Sequence, residues 1–200
     1  DILIRSVLLQ AIFVSFLFFG SDFGDVQLAA NQILMQFLQV TAYALDGFAF
    51  SAESLVGQAV GAANVTRLRR AIYLSSFWAV IGCILLSIAF AIYGGQIVDF
   101  MAKDTAVQIE ARQYLFYMTL VPVLGVASWM LDGVFIGATR TRDMRNMAFI
   151  STGCFVVAAW ILVPAYGNHG LWWAFLFSFV IRAITLAARY PALERATAEG

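Results

Sequence analysis

Long uncharged apolar runs alternate along this chain with short clusters of charge. Residues 71–98 and 146–181 contain no Asp, Glu, Lys or Arg. A helix that crosses a bilayer needs about 20 mostly apolar residues, roughly 30 Å at the helical rise. Cutting the apolar stretches at charge clusters and at Gly or Pro predicts six spans, at 2–20, 26–61, 71–98, 113–138, 146–163 and 171–190. The second exceeds what a bilayer requires, so it is expected to tilt or to project into water. Residues 99–112 are expected to be an extramembrane loop with an amphipathic turn. Pro122 predicts a kink in the fourth span. The segment Pro164-Ala165-Tyr166-Gly167-Asn168-His169-Gly170 divides the last long run in two, and the sixth span is expected to end near Tyr190 and Pro191. The fold class that follows is all-α, an integral membrane bundle of six transmembrane helices.

Composition supports that class. Hydrophobic residues make up 62% of the 200 and charged residues 12%, about half of what a soluble chain carries. The formal net charge is zero, so no global basic field points to nucleic acid. Cys83 and Cys154 sit inside apolar runs with no partner at metal or redox spacing and read as packing residues. Asp1 stands where an initiator Met would, and apolar sequence follows at once with no signal-peptide pattern, so the chain is expected to be a fragment.

Charge position then gives orientation. If the helices alternate, Arg67, Arg69, Arg70, Arg140, Arg142, Arg145, Arg189 and Arg195 share one face with Arg5, leaving Lys103 and Arg112 on the other. Basic residues are retained on the cytoplasmic side, so both termini are expected there, in the inner membrane of a bacterium.

Ionisable groups within spans are costly in lipid and mark candidate sites. Asp46 falls roughly 21 Å from the arginine-rich end of its helix, near mid-bilayer, with no arginine at its depth. Glu53, two turns nearer that end, reads as interfacial. Asp132 lies about 12 Å inside the boundary, at a depth similar to Arg182. Two readings stay open for it: a structural ion pair with Arg182, or a carboxylate that titrates or binds a cation during transport. Asn31, Gln36, Gln39, Thr41 and Tyr43 add polarity to the second helix, and Gln10 is the main uncharged polar group of the first. Leu45-Asp46-Gly47-Phe48 is echoed by Leu131-Asp132-Gly133-Val134. Gly57-Gln58-Ala59-Val60-Gly61 and Gly133-Val134-Phe135-Ile136-Gly137 carry the small-residue spacing of close helix packing. Met35, Phe37, Tyr117, Met118 and Trp129 are candidate cavity aromatics and thioethers, Tyr166, Trp172 and Trp173 interfacial anchors. His169, the single histidine, reads as a turn residue.

Several of these stretches resemble a known family. Leu28-Ala29-Ala30-Asn31-Gln32-Ile33-Leu34, Ala44-Leu45-Asp46-Gly47-Phe48-Ala49-Phe50 and Glu53-Ser54-Leu55-Val56-Gly57-Gln58-Ala59-Val60-Gly61-Ala62 are similar to the eighth helix of multidrug and toxic-compound extrusion (MATE) transporters. Residues 131–140 resemble their tenth helix, and Gly170-Leu171-Trp172-Trp173-Ala174-Phe175 the start of the twelfth. The resemblance covers nearly the whole chain and is closest to the DNA-damage-inducible protein F-like branch. It implies a cation-antiporting exporter of two six-helix lobes, of which residues 1–200 form the C-terminal one. The N-terminal lobe, and the proton-coupling aspartate this branch carries there, would be absent. Asp132 matches the tenth-helix acid that other branches use for a cation site, whereas the seventh-helix acid has no counterpart.

The expected function is therefore multidrug efflux by cation antiport, with a proton or sodium as coupling ion and no other cofactor or metal. Amphipathic organic substrates would pass a cleft walled by Asp46, Asp132, Gln36, Asn31, Gln10 and Tyr43. The expected partners are the lipid bilayer and the N-terminal lobe of the same polypeptide. A lipid-linked oligosaccharide flippase of the same superfamily and a transport-incompetent half or scaffold are the alternatives. No His, Cys or carboxylate cluster suggests an enzyme.

Overall fold

A computed structural model describes residues 2–199. Asp1, on which the expectation of missing upstream sequence rests, lies outside them. The chain runs α1 (Ile2–Gly20), a single 3-10 turn (Ser21–Phe23), α2 (Asp25–Gly61), α3 (Val65–Met101), α4 (Thr105–Gln113), α5 (Leu115–Gly137), α6 (Thr141–Tyr166) and α7 (Asn168–Glu199). All of these α-helices except α4 are long and apolar enough to cross a membrane, six spans in the order the hydropathy predicts.

The helix ends differ from the predicted spans for local reasons. α3 begins at Val65, inside the arginine-rich connection, because Asn64 caps it and accepts a hydrogen bond from the Arg67 backbone N–H at 3.0 Å. The loop expected at 99–112 folds into α4. Asp104 caps this helix through the Ala106 N–H, and Val107 and Ala111, one turn apart, are its buried face. Arg112 reaches back from α4 to Asp99 at the end of α3, with Nε 3.1 Å from Oδ1, and this hydrogen bonding raises its pKa. The last helix does not stop at Pro191. Buried Leu193 and Thr197 and the Arg69 to Glu194 ion pair hold the following turns helical to Glu199. Pro122 is accommodated inside α5, where the nearby Thr119 carbonyl accepts from Ser87 Oγ on α3 at 2.8 Å.

The helices pack as two groups. α2, α3 and α5 all touch one another; α6 packs against both α7 and α1; contact between α5 and α7 joins the groups. Phe16, Phe155, Trp172 and Phe175 centre the core at the end where α4 lies, with edge-on ring contacts. At the opposite end Val56, Leu68, Phe135, Met144 and Leu186 form a second cluster. That cluster gathers the α2–α3 turn, the α5–α6 turn and the last third of α7 at one end of the bundle, so the arginines of all three segments share it.

The two turns at that end are built alike. Asn64 N–H bonds the Ala59 carbonyl at 3.1 Å, and Arg140 N–H bonds Phe135 at 2.9 Å. In each, the preceding residue, Ala63 or Thr139, takes a left-handed φ, at 51° and 60°. Just inside these turns α5 crosses α2 at backbone contact. A Cβ on Gly133 would lie 2.7 Å from the Ala49 carbonyl oxygen, and one on Gly137 would overlap Glu53. The glycine spacing of α5 is thus a packing device. Its echo in α2 is only half used, because Gly57 faces the Gly137 carbonyl whereas Gly47 and Gly61 meet open space.

Candidate functional site

On α2, Gln32, Gln36, Gln39, Tyr43, Asp46 and Glu53 recur at alternating three- and four-residue steps, or sums of them, which places them along one side of the helix. α1 makes little contact with α2. The gap between them is a groove of about 400 Å³ lined by Gln10, Phe13 and Leu17 from α1 and by Gln32, Met35, Gln36, Gln39, Ala42 and Tyr43 from α2. Four amides and a phenol, set among apolar side chains, give it adaptable hydrogen-bonding capacity in both donor and acceptor senses. Asp46 lies one turn beyond Ala42 toward the arginine-rich end. It is half-buried, with Trp129 of α5 close to it.

Next to this stripe sits a buried charge cluster. Asp132 on α5 is 2% exposed and Arg182 on α7 3% exposed, and the two form an ion pair through Asp132 Oδ2 and Arg182 Nη2. Arg5 on α1 contributes a second cation, with Nη2 2.9 Å from the same oxygen. Arg5 is also within electrostatic reach of Asp46 and Glu53, so this one guanidinium links the buried pair to the carboxylates of α2.

This geometry alters several sequence expectations. Asp132 and Arg182 meet, as their matching depth suggested, but Arg5 completes the arrangement. Asp46, expected to have no arginine at its level, has one acting on it. The sequence hid Arg5 because a basic residue near the start of a span ordinarily reads as a boundary marker. Its functional signal was available only as the one charge on α1.

Asn31 does not line the groove. It is 1% exposed and points into the bundle, where its amide and that of Asn168 exchange hydrogen bonds at 2.9 and 3.0 Å and Trp172 Nε1 donates to its Oδ1 at 3.1 Å. With both ends of its amide occupied in this way, the side chain ties α2 to the first turn of α7. Gln10, Gln36 and Tyr43 stand together in the groove. Asp132 stands behind it, enclosed by its two arginines. Thr41 bonds the Phe37 carbonyl of its own helix. Tyr117 and Met118 are core residues, as are Phe37 and Met35, though Met35 also touches the groove. His169 falls in the first turn of α7, its Nδ1 2.9 Å from the Tyr117 hydroxyl. Among the described residues no group of three or more His, Cys, Asp or Glu side chains could hold a metal ion.

Comparison with known proteins places this arrangement in context. The sequence pattern of the MatE family matches residues 2–161. DNA damage-inducible protein F of Escherichia coli (strain K12) is 37% identical over 188 residues, covering 94% of this chain and 41% of that protein. The probable multidrug resistance protein NorM of Pseudomonas syringae pv. tomato is 26% identical over 176 residues, covering 82% of this chain and 37% of that protein. The chain therefore spans less than half the length of these curated relatives. Among solved structures, a MOP superfamily transporter from Pyrococcus furiosus Vc1 (DSM3638), for which a binding pocket of reversed polarity has been described, superposes with a TM-score of 0.77 at 16% identity. The superposition covers 96% of this chain and 43% of that one, and it shows a shared fold.

Proposed function

The chain belongs to the MatE family of transporters, and from that premise we propose that it is the C-terminal lobe of a bacterial inner-membrane exporter of amphipathic organic cations. The observation that carries this reading is the α1–α2 groove, a polar stripe of glutamine amides and Tyr43 that leads to Asp46 on an otherwise apolar exterior. Amides orient an amphipathic substrate without fixing its identity, the neighbouring Phe13, Leu17 and Met35 hold its apolar part, and Asp46 supplies the counter-charge. In the assembled transporter the N-terminal lobe of the same polypeptide would form the opposite wall. Alternating access would then expose the groove to each side in turn, with the arginine-rich end, and so both ends of this lobe, facing the cytoplasm.

Asp132 acts in this scheme as an anchor and not as the coupling site. Two guanidinium groups already contact it through Oδ2, and their positive charge disfavours a sodium ion beside it. Proton coupling fits the lobe better, with Asp46 exchanging cationic substrate for a proton. The flippase alternative calls for cations turned toward the cleft to hold an anionic substrate. Arg5 and Arg182 are turned instead to Asp132. A transport-incompetent half or scaffold would have no need of the polar groove.

The test is ethidium efflux driven by an imposed pH gradient, measured with the whole polypeptide reconstituted in liposomes. Asp46→Asn is expected to slow efflux at least about tenfold, the loss of one charge-assisted contact. Efflux at the parent rate in that variant would remove Asp46 from the site.

A further inference from the structure

α3 and α7 diverge on the side of the lobe away from the α1–α2 groove. Between them lies an open trough of about 620 Å³. Its walls are Ile72, Phe77 and Val80 on α3 and Ala187 on α7, with Leu131 of α5 at its base. The face of α3 beside it exposes Tyr73, Leu74, Ile84, Leu85, Ile88 and Ile92 to the surroundings. Such a continuous apolar exterior needs an apolar covering, and on the side away from the groove that the N-terminal lobe would wall the bilayer supplies it.

The trough is apolar along its length and charged at one end. There Arg69 donates Nε and Nη2 to the two oxygens of Glu194 at 2.9 and 3.0 Å. Tyr190 lines the same end of the trough beside Glu194. A guanidinium has five N–H groups, and this fork uses two. The rest, on a side chain 67% exposed, stay free on a guanidinium whose orientation Glu194 fixes. The trough itself carries only the Arg69–Glu194 pair, but the end of the bundle it opens at, where Arg70 and Arg189 are also exposed, has more basic than acidic side chains.

Length supplies the second constraint. Arg69 and Val80 are eleven residues apart, roughly 17 Å of helix. Half of a roughly 30 Å hydrocarbon core is nearly the same. A chain that starts at the charged end and follows the trough therefore stops near the bilayer midplane, as the acyl chain of one leaflet does.

We propose that the α3–α7 trough is a binding site for an anionic glycerophospholipid, with its phosphate on Arg69 and one acyl chain lying against Ile72, Phe77, Val80, Leu131 and Ala187. Glu194 is the positioning residue that holds the guanidinium toward the headgroup. The charge complementarity is that of a planar donor fork for a phosphate. The apolar length selects a diacyl lipid over a soluble phosphate. The site is separate from the transport groove and does not rest on the efflux reading.

Native mass spectrometry of the whole polypeptide tests this after extraction into mild detergent and addition of phosphatidylglycerol or phosphatidylethanolamine of the same chain length. The parent is expected to retain phosphatidylglycerol in preference to phosphatidylethanolamine. Arg69→Gln should lower its retention about tenfold, the effect of losing a charge-assisted contact to phosphate. Arg112→Gln, the same change at the opposite end, should leave it unaltered. Ala187→Trp fills the trough, keeps every charge and should also displace the lipid. Parent-level retention in both Arg69→Gln and Ala187→Trp, an equal loss in Arg112→Gln, or no preference between the two lipids in the parent would overturn the assignment.

Discussion

Replacing Asp132 with asparagine keeps the shape of the side chain and removes the carboxylate that neutralises Arg182. Arg182 is 3% exposed and has no route to water from its place on α7, and Arg5 would be left beside it as a like charge. Removing one partner of a buried pair costs about 3–5 kcal/mol, because the other charge stays in a low-dielectric site without compensation. For a lobe of this size each kcal/mol corresponds to roughly 2–4 °C in Tm, so the variant is expected to unfold about 10 °C below the parent. The chain carries its own reporter in Cys83, a buried thiol on α3. Thermal unfolding in detergent can be followed with a thiol-reactive fluorophore in a background where half-exposed Cys154 is replaced by alanine. Arg5→Gln should cost less, about 1–2 kcal/mol, since Asp132 keeps Arg182 and loses one charge-assisted bond. The triple variant Arg5→Met, Asp132→Leu and Arg182→Met should recover most of the lost stability, because an apolar set of similar volume avoids the desolvation of all three ions. A Tm for Asp132→Asn within about 2 °C of the parent would show that the cluster is not the anchor described above.

Two further outcomes follow from packing. Gly133→Leu places a branched side chain against the Ala49 backbone, and the resulting separation of α2 from α5 should cost more than about 3 kcal/mol; size-exclusion profile and Tm after membrane extraction report it, and a parent-like profile would contradict the backbone contact. Asn31→Ala leaves the Trp172 N–H and the Asn168 amide buried without partners, an expected loss of about 1–3 kcal/mol, whereas efflux per folded molecule should be unchanged because the residue does not face the groove.

Much of this lobe was legible from run length and charge position. The six spans, the shared end of the arginine-rich turns and the meeting of Asp132 with Arg182 follow from counting residues along helices, because a bilayer fixes depth. Rotation about each helix axis is what counting leaves open, and the corrections concern rotation. Asn31 and Gln36 lie five residues apart on one helix, yet one is turned inward to Asn168 and the other outward to the groove. Arg5 has a depth that depends on where α1 enters the bundle, and only its neighbours reveal that it reaches Asp132. The continuation of α7 past Pro191 rests on the ion pair between Glu194 and Arg69, a tertiary contact that a local helix-breaker rule does not register.

The glycine-mediated crossing of α5 over α2 also has a mechanical outcome. Because Gly133 and Gly137 seat directly on the α2 main chain, the wall of the groove that bears the glutamines is clamped to the body of the lobe. The facing wall is fastened to α6 and, near its beginning, by the guanidinium of one side chain. Any change in the width of the groove would therefore have to come from α1, whose Arg5 tethers it to Asp132 on the same helix that clamps α2.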